Sequence, residues 1–400
     1  MPDFQTISAI IFLIILALFV YIKRKALDTK QIIPYLLYFS MYKTTWGLKL
    51  MDSLAKKCRK FLLYVGYFGI LVGFLGMIFI SYGLINNIYV LFTKPEAVPG
   101  VGLVLPFKAK GIFFVPFFYW IISIFVIAVV HEFAHGLIAR THNLKVKSSG
   151  FAFLGLIIPI IPAAFVEPDE KELRKRPHKE QLSVFAAGPF SNIAIAFLFV
   201  AIASFILAPI ANALIEPNGV KVADYVKGVK GEENKKFPAE SAGIKIGEVI
   251  QQVDDKPTPY VNNLSAVLKS KNPNDIVTIK TDKSSYEIKL EKNPENESLA
   301  YIGAYLEQST KIKDDVKSTY GKFLPNSLTW LFGLFIILFV LNLGIGLFNL
   351  VPIGPLDGGR MLQLVLHKIF DKEKGDKVWY YIGVFFFILI FVNVVAGFVR

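Results

Sequence analysis

The sequence predicts an α-helical polytopic membrane protein with about six transmembrane helices and one inserted small α+β domain. Apolar residues make up 54% of the 400 residues and charged residues only 19%, whereas a soluble domain has about 25% charged residues. Long uncharged runs alternate with basic loops, and residues 216–320 are instead rich in Lys, Glu, Asp and Asn. The chain is therefore expected to lie mostly in a bilayer, with one soluble insertion.

Six apolar runs are candidates for helices that cross the bilayer, which takes about 20 residues. They are 7–22, 61–92, 111–130, 182–215, 324–350 and 378–399. The first run is followed by basic residues at 23–25, whereas a cleaved signal peptide carries its positive charge ahead of the apolar run, so we expect a retained anchor. Another apolar stretch, 151–166, is short and contains Pro159 and Pro162, which predicts a hairpin or a re-entrant segment.

Basic residues predict the orientation. The loop 23–60 holds ten Lys and Arg residues, and such loops face the cytoplasm. Counting spans from there places the loops 140–180 and 352–377 in the cytoplasm as well, and 216–320 outside. The expected location is the cell membrane, multi-pass, with the inserted domain extracytoplasmic.

The same boundaries divide the chain into four parts. Residues 1–110 would hold an N-terminal membrane anchor, the basic cytoplasmic loop and the second span. Residues 111–215 and 321–400 would form the two halves of a membrane core, and residues 216–320 the soluble domain. The membrane core is where any chemistry inside the bilayer is expected.

The soluble part carries its own secondary-structure pattern. Apolar and polar residues alternate in 277–280 and again in 286–290, which predicts two strands joined by a turn. Leu264, Val267 and Leu268 have helical spacing. A small α+β domain is expected.

Composition excludes several classes of site and partner. Cys58 is the single cysteine, so a disulfide framework and a cysteine-rich metal cluster are excluded. The 44 Lys and Arg against 31 Asp and Glu are expected to lie against anionic lipid headgroups. No nucleic-acid partner is expected, because no basic helix or RNA-binding aromatic motif accompanies the charge.

His131, Glu132 and His135 carry the most informative chemistry. Residues four apart lie on one face of a helix, so the two imidazoles can bind one zinc ion while the carboxylate between them polarises water. The alternative is a pair of interfacial histidines with a solvated Glu132. Zinc is favoured, because ionisable groups in membrane helices are costly and usually mark a function.

Asp357 is the expected third ligand. Zinc used for hydrolysis takes three protein ligands and leaves one position for water. The charge count brings Asp357 to the same, cytoplasmic side as His131 and His135, and the prolines and glycines around it break the helix and could turn its carboxylate towards the metal. The alternative is a turn aspartate that faces water. The remaining histidines are expected at the surface: His142, His178 and His367.

Three motifs together resemble the site-2 protease family of intramembrane zinc metalloproteases. They are His-Glu-x-x-His at 131–135, Gly-Pro-x-x-Asn at 188–192, and a segment that runs from Asn349 to Leu-Asp-Gly at 356–358. An inserted PDZ-like domain is also a common feature of that family. The first 110 residues lie outside the shared core, and the resemblance gives them no role.

The resemblance implies a function and a set of roles. The protein would hydrolyse peptide bonds of membrane-anchored proteins, in regulated intramembrane proteolysis. His131, His135 and Asp357 would bind one zinc ion per chain, and Glu132 would be the general base.

Asn192 and a nearby segment are expected to support this chemistry. The oxyanion of the tetrahedral intermediate needs a donor besides zinc, and Asn192 is our candidate. The alternative for Asn192 is a hydrogen bond between helices. Residues 150–164 could present an edge strand on which a substrate helix unwinds into an extended form.

Segments at 237–244 and 247–250 resemble the PDZ domains of bacterial-type proteases. The resemblance covers about residues 219–306 and implies that an extended peptide or a chain end binds by adding a strand. The segment 301–304 is a candidate for the carboxylate-binding loop. The alternative is a spacer without a ligand of its own.

Two other functions stay open. A membrane zinc protease of the prenyl-protein-processing type also carries His-Glu-x-x-His in a span, but it draws its third ligand from a downstream glutamate. A non-catalytic receptor or scaffold would use its PDZ-like domain to bind protein tails.

Overall fold

The computed structural model describes residues 4–33, 37–94, 97–156, 158–226, 235–294 and 296–399. The chain forms two compact units. One comprises Met1–Ala203 and Gly333–Arg400, and the other comprises Ser204–Phe332. Each unit has hydrophobic clusters of its own.

The described residues are largely helical. In chain order the α-helices are α1 (Phe4–Lys23), α2 (Leu48–Lys57), α3 (Arg59–Thr93), α4 (Phe117–Thr141), α5 (Glu170–Leu173), α6 (His178–Ile202), α7 (Ala208–Leu214), α8 (Pro238–Ser241), α9 (Val261–Lys269), α10 (Asp314–Tyr320), α11 (Phe323–Phe348), α12 (Asp357–Ile369) and α13 (Lys372–Val399). A π-helical turn, Ala203–Leu207, joins α6 to α7.

Strands occur in both units. They are β1 (Leu27–Ile33), β2 (Leu37–Thr44), β3 (Leu103–Leu105), β4 (Ile112–Phe114), β5 (Val146–Leu156), β6 (Ile158–Pro168), β7 (Ile215–Tyr225), β8 (Val249–Val253), β9 (Lys256–Pro257), β10 (Ile276–Thr281), β11 (Ser285–Lys289), β12 (Glu291–Asn293), β13 (Asn296–Tyr301) and β14 (Ala304–Ile312).

Six segments of the described chain are helices long and apolar enough to cross a membrane, and they confirm the six expected spans. They are α1, α3, α4, α6 with α7, α11 and α13. A helix satisfies all its backbone hydrogen bonds internally, which an apolar run in lipid requires. The third span begins later than expected, because Pro116 disfavours helix in the residue before it and residues 112–114 form β4, paired with β3.

A four-stranded antiparallel sheet lies in the first unit, in the order β1-β2-β5-β6. Strands β5 and β6 form a hairpin, which confirms the hairpin expected at 151–166. The segment 23–60, expected as the connection between two spans, also forms β1, β2 and α2. Strand β2 pairs with β5, which lies much later in the sequence. The residues of β2 alone therefore give little indication that it forms a strand.

Glycines on α3 let α6 and α12 approach it closely. A Cβ at Gly69 would lie 3.5 Å from Phe190 on α6, and one at Gly73 would lie 2.8 Å from Met361 on α12. Gly66 and Gly76 are buried on the same helix. Small residues of this kind pack membrane helices tightly, and here they bring α6 and α12 to the same region of the fold.

The segment 352–377, expected to be a loop, contains α12, so that expectation was wrong. Helix α12 begins at Asp357. The Gly358 N–H donates a 2.8 Å hydrogen bond to the Asn349 carbonyl, and a Cβ at Gly358 would lie 2.2 Å from the Leu350 carbonyl oxygen. A glycine is therefore required where the chain doubles back, and this close approach fixes the start of α12.

The second unit contains a six-stranded sheet, in the order β11-β10-β8-β7-β14 with β9 paired to β8. The two strands expected at 277–280 and 286–290 are β10 and β11, which pair antiparallel. The expected helix is α9, whose Leu264, Val267 and Leu268 are buried in the core of this unit. The expected α+β character is confirmed.

A candidate metal centre

Helix α4 and the first residue of α12 bring His131, His135 and Asp357 together. Nε2 of His131 lies 3.1 Å from Nε2 of His135 and 3.1 Å from Oδ2 of Asp357. Nε2 of His135 lies 3.4 Å from the same carboxylate oxygen. Ligands about 2.0–2.1 Å from a tetrahedral zinc ion are about 3.3 Å apart. The three atoms therefore have the spacing of one face of a zinc site.

Both imidazoles present the same nitrogen to this cluster. Nδ1 of His135 lies 2.7 Å from the Val184 carbonyl oxygen on α6, and Nδ1 of His131 lies 3.2 Å from the side-chain amide of Asn192 on the same helix. A metal-binding histidine usually donates its second ring N–H to an acceptor, as His135 can to the Val184 carbonyl, and such a contact fixes the ring. Helix α6 therefore orients both imidazoles.

Gly188 makes room for the two imidazoles. A Cβ at this position would lie 2.4 Å from Nε2 of His135 and 2.6 Å from Nε2 of His131. Real atoms do not approach so closely, so the absence of a side chain lets α6 pass directly beside the cluster. The glycine of the motif at 188–192 thus has a steric role.

Glu132 faces the same cavity from α4. Its Oε2 accepts a 3.0 Å hydrogen bond from the Val166 backbone N–H on β6. The cavity has a volume of about 580 Å³, and Glu132 and the three clustered groups line it together with residues 166–168 of β6. Charged side chains also line it: Lys147, Glu167, Glu170, Lys171 and Arg360.

The Asp357 carboxylate is partly enclosed, with 13% of its side chain exposed. Burial opposes its charged form, but the imidazoles of His135 and His131, where they are protonated and positively charged, outweigh that effect and hold the pKa of the carboxyl below its usual range. A metal ligand must be deprotonated, so the carboxylate suits the set of donors.

Asn192 lies behind the cluster and is completely buried. It contacts His131 and is not among the residues that line the cavity. The structure thus brings all five residues singled out from the sequence into one region, with Asn192 on the far side of the His131 ring.

The prediction that His142 lies at the surface was wrong. His142 is only 6% exposed, and its Nε2 lies 2.8 Å from the Ser183 hydroxyl on α6. It follows the last residue of α4, where the end of that helix packs against α6. His178 is exposed as expected, and His367 is partly buried against Asp376.

Two groups near the site had no role in the sequence reasoning. The backbone N–H of Val166 holds Glu132, and no residue-type pattern marks a main-chain donor. Lys147 lies in β5 on the cavity wall, and a lysine in a basic segment gave no separate signal.

Comparison with known proteins gives one family. The model of Peptidase family M50 matches residues 119–390, which is more than half of the chain and includes every residue of the cluster.

Two relatives of known sequence are similar over much of the chain. An uncharacterized protein of Methanocaldococcus jannaschii is 28% identical over 245 residues, which are 61% of this chain and 56% of that protein. A protein of Fusobacterium nucleatum, named as a candidate zinc metalloprotease, is 22% identical over 314 residues, which are 66% of this chain and 89% of that protein. The chain therefore spans little more than half the length of the first relative.

Among the solved structures that are similar to a smaller part of the chain is a PDZ domain. It is the PDZ domain of the SdrC-like protein of Listeria monocytogenes, at 20% identity, and the match covers 22% of this chain and 87% of that domain with a TM-score of 0.19. The α+β character of the second unit rests on its own strands and helices.

Proposed function

Because the chain belongs to peptidase family M50, we propose that it is an intramembrane zinc metalloprotease that hydrolyses peptide bonds of membrane-anchored proteins, in regulated intramembrane proteolysis. The observation that carries the proposal is the convergence of His131, His135 and Asp357 at zinc-ligand spacing, with Glu132 in the same cavity. Two of the three ligands and the carboxylate lie on α4, one of the six helices that can span a membrane.

The residues divide the chemistry among them. His131, His135 and Asp357 would hold one zinc ion, which would supply the Lewis acidity that activates water for attack on a peptide carbonyl. Glu132 would accept the proton of the attacking water and return it to the leaving amine. The Val166 N–H would hold the Glu132 carboxylate in one orientation while leaving its second oxygen for this work.

Strand β6 would present the substrate in extended form. It is the last strand in the order of its sheet, and residues 166–168 line the cavity of the metal cluster. Residues 162–164 of the same strand line an apolar groove of about 390 Å³ with α1 and α4. A substrate segment added to this edge would run from apolar surroundings to the metal centre.

Membrane sidedness and the inserted domain belong to the same proposal. The zinc site would lie near the cytoplasmic side, and the domain at 216–320 would lie outside and bind a peptide or chain end of its substrates. Substrate proteins and lipid would be the partners of the chain.

The substitution Glu132→Gln tests the proposal. With purified protein and a membrane-anchored substrate, turnover should fall by about 10²-fold or more, while zinc content stays at one ion per chain. Glu373→Gln, an exposed residue on α13, is the matched control and should keep turnover. If wild type and Glu132→Gln behave alike, the chain is instead a receptor or scaffold.

A protease of the prenyl-protein-processing type would differ in its third ligand. Such an enzyme takes a downstream glutamate, whereas the group of His, Cys, Asp and Glu side chains that fits a metal in the described residues contains Asp357. Cleavage of a substrate without a prenyl group would separate the two types.

A further inference from the structure

Asn192 is a buried amide whose nitrogen, and not its oxygen, faces a ring of the metal cluster. Its side chain is 0% exposed, its Nδ2 lies 3.2 Å from Nδ1 of His131, and its Oδ1 has no partner among the described residues. A buried acceptor without a partner costs about 1–3 kcal/mol, and natural proteins seldom tolerate one. The arrangement therefore needs a physical explanation.

The ligand role of His131 supplies one. Nε2 of His131 faces His135 and Asp357, so Nε2 would bind zinc and Nδ1 would carry the proton of the neutral ring. An N–H group of the amide cannot then donate to Nδ1. A half-turn of the amide exchanges its nitrogen and oxygen in nearly the same positions, and Oδ1 then accepts the hydrogen bond from Nδ1–H.

We infer that Asn192 is a positioning residue, whose amide oxygen accepts from Nδ1–H of His131 and holds the ring in the tautomer that binds zinc through Nε2. This inference rests on the proposed function. The half-turn gives the oxygen a donor and moves the amide nitrogen to the side where Oδ1 had no partner among the described residues, so the inference rests on the tautomer that the metal site requires. His135 is held in the same way by the Val184 carbonyl, 2.7 Å from its Nδ1, so each metal-binding imidazole has an acceptor on α6.

The burial of Asn192 separates this role from that of the oxyanion donor expected from the sequence. Its Cβ lies close to Gly346 of α11, where an added Cβ would be 3.2 Å away, so α11 closes its outer side. The His131 ring lies on the other side, between Asn192 and the other two ligand atoms. An amide in this position can orient the His131 ring, and it affects the metal only through that ring.

Zinc affinity tests the assignment without relying on activity. Competition with a chelator on purified full-length protein should show that Asn192→Leu, which has a similar size and no acceptor, weakens zinc binding by about 10- to 100-fold. Asn192→Asp keeps an acceptor and should bind zinc about as well as wild type. Asn342→Leu is the matched control, since Asn342 is a buried asparagine on α11 that donates to its own helix at the Leu338 carbonyl, and it should not change affinity.

Turnover against zinc concentration gives the second readout. Excess zinc should restore most of the turnover of Asn192→Leu if the residue positions a ligand, and Asn192→Asp should stay active. An oxyanion donor would instead leave zinc affinity intact and lose kcat in both variants at every zinc concentration, which would overturn the assignment. If Asn192→Leu does not fold, Asn192→Ala carries the same test.

Failure of this inference differs from failure of the proposed function. Wild-type protein that binds no zinc would refute the proposed protease and the inference with it. Wild-type protein that binds zinc, with equal affinity in Asn192→Leu, would refute the positioning role alone.

Discussion

The Glu132 carboxylate accepts a 3.0 Å hydrogen bond from the Val166 backbone N–H. This contact shows which edge of β6 faces α4. Because the Val166 N–H points at α4, it points away from β5. Alternate residues of a strand present their main-chain groups to the same side, so Ala164 also turns its N–H away from β5. Pro162 has no backbone N–H to present at this edge, and prolines within sheets are commonly found on edge strands.

Ala164→Pro should therefore impair binding of an extended substrate while leaving the β5–β6 hairpin paired. The substitution removes an outward N–H, and a proline is tolerated at an edge. We expect cleavage of a helical membrane substrate to fall several-fold, measured by KM and kcat on reconstituted protein. Ala164→Gly keeps the N–H and is the control. Unchanged cleavage of the helical substrate by Ala164→Pro would discard the edge-strand proposal.

Asp357→Ala should remove tight zinc binding. In the proposed site the aspartate would contribute one of three ligand atoms, and the two imidazoles left on α4 would form an incomplete site for zinc. Metal analysis after dialysis should give about one zinc per chain for wild type and far less for the variant. Asp371→Ala, on the short segment between α12 and α13, should keep its metal. A full zinc content in Asp357→Ala would mean that the third ligand is another group.

Gly188→Ala should disturb the metal centre more than the fold. The added Cβ would lie 2.4 Å from Nε2 of His135 and 2.6 Å from Nε2 of His131, so the imidazoles must move. Alanine is otherwise the better helix former by about 1 kcal/mol. We expect zinc affinity to fall at least tenfold with helicity by circular dichroism unchanged. Gly344→Ala, which meets nothing within 4 Å, should match wild type.

The local parts of the site could be predicted from the sequence, and the long-range parts only in outline. The spacing of His131 and His135 is a property of a single helix, so the sequence alone places both on one face. Asp357 could be added because charge asymmetry orients each span separately. The contact of Glu132 with Val166 could not be predicted from the sequence, because no particular residue type marks a main-chain donor.

The fold shows the same division. Uniformly apolar runs identify spans because only a helix satisfies their main chain in lipid. Strands β1 and β2 were missed, because β2 is stabilised by pairing with β5 and carries little local pattern of its own. His142 was misplaced for a related reason, since its burial depends on Ser183 of another helix.

Cys58 offers a direct test of sidedness. It is the single cysteine of the chain, it is exposed, and it lies between α2 and α3 in the segment that the positive-inside rule assigns to the cytoplasm. A maleimide that cannot cross membranes should label wild-type protein in inside-out vesicles and leave it unlabelled in right-side-out ones. No other thiol contributes to the signal.

The inserted domain should give the opposite result. Ser284 is exposed between β10 and β11, so the double variant Cys58→Ser, Ser284→Cys moves the thiol into the domain, and Cys58→Ser alone is the unlabelled control. We expect labelling in right-side-out vesicles only. Because an even number of spans separates Cys58 from the metal cluster in the proposed topology, labelling of Cys58 from outside would place the cluster near the outer face. The metal-ligand proposal would survive that outcome, whereas the proposed orientation would not.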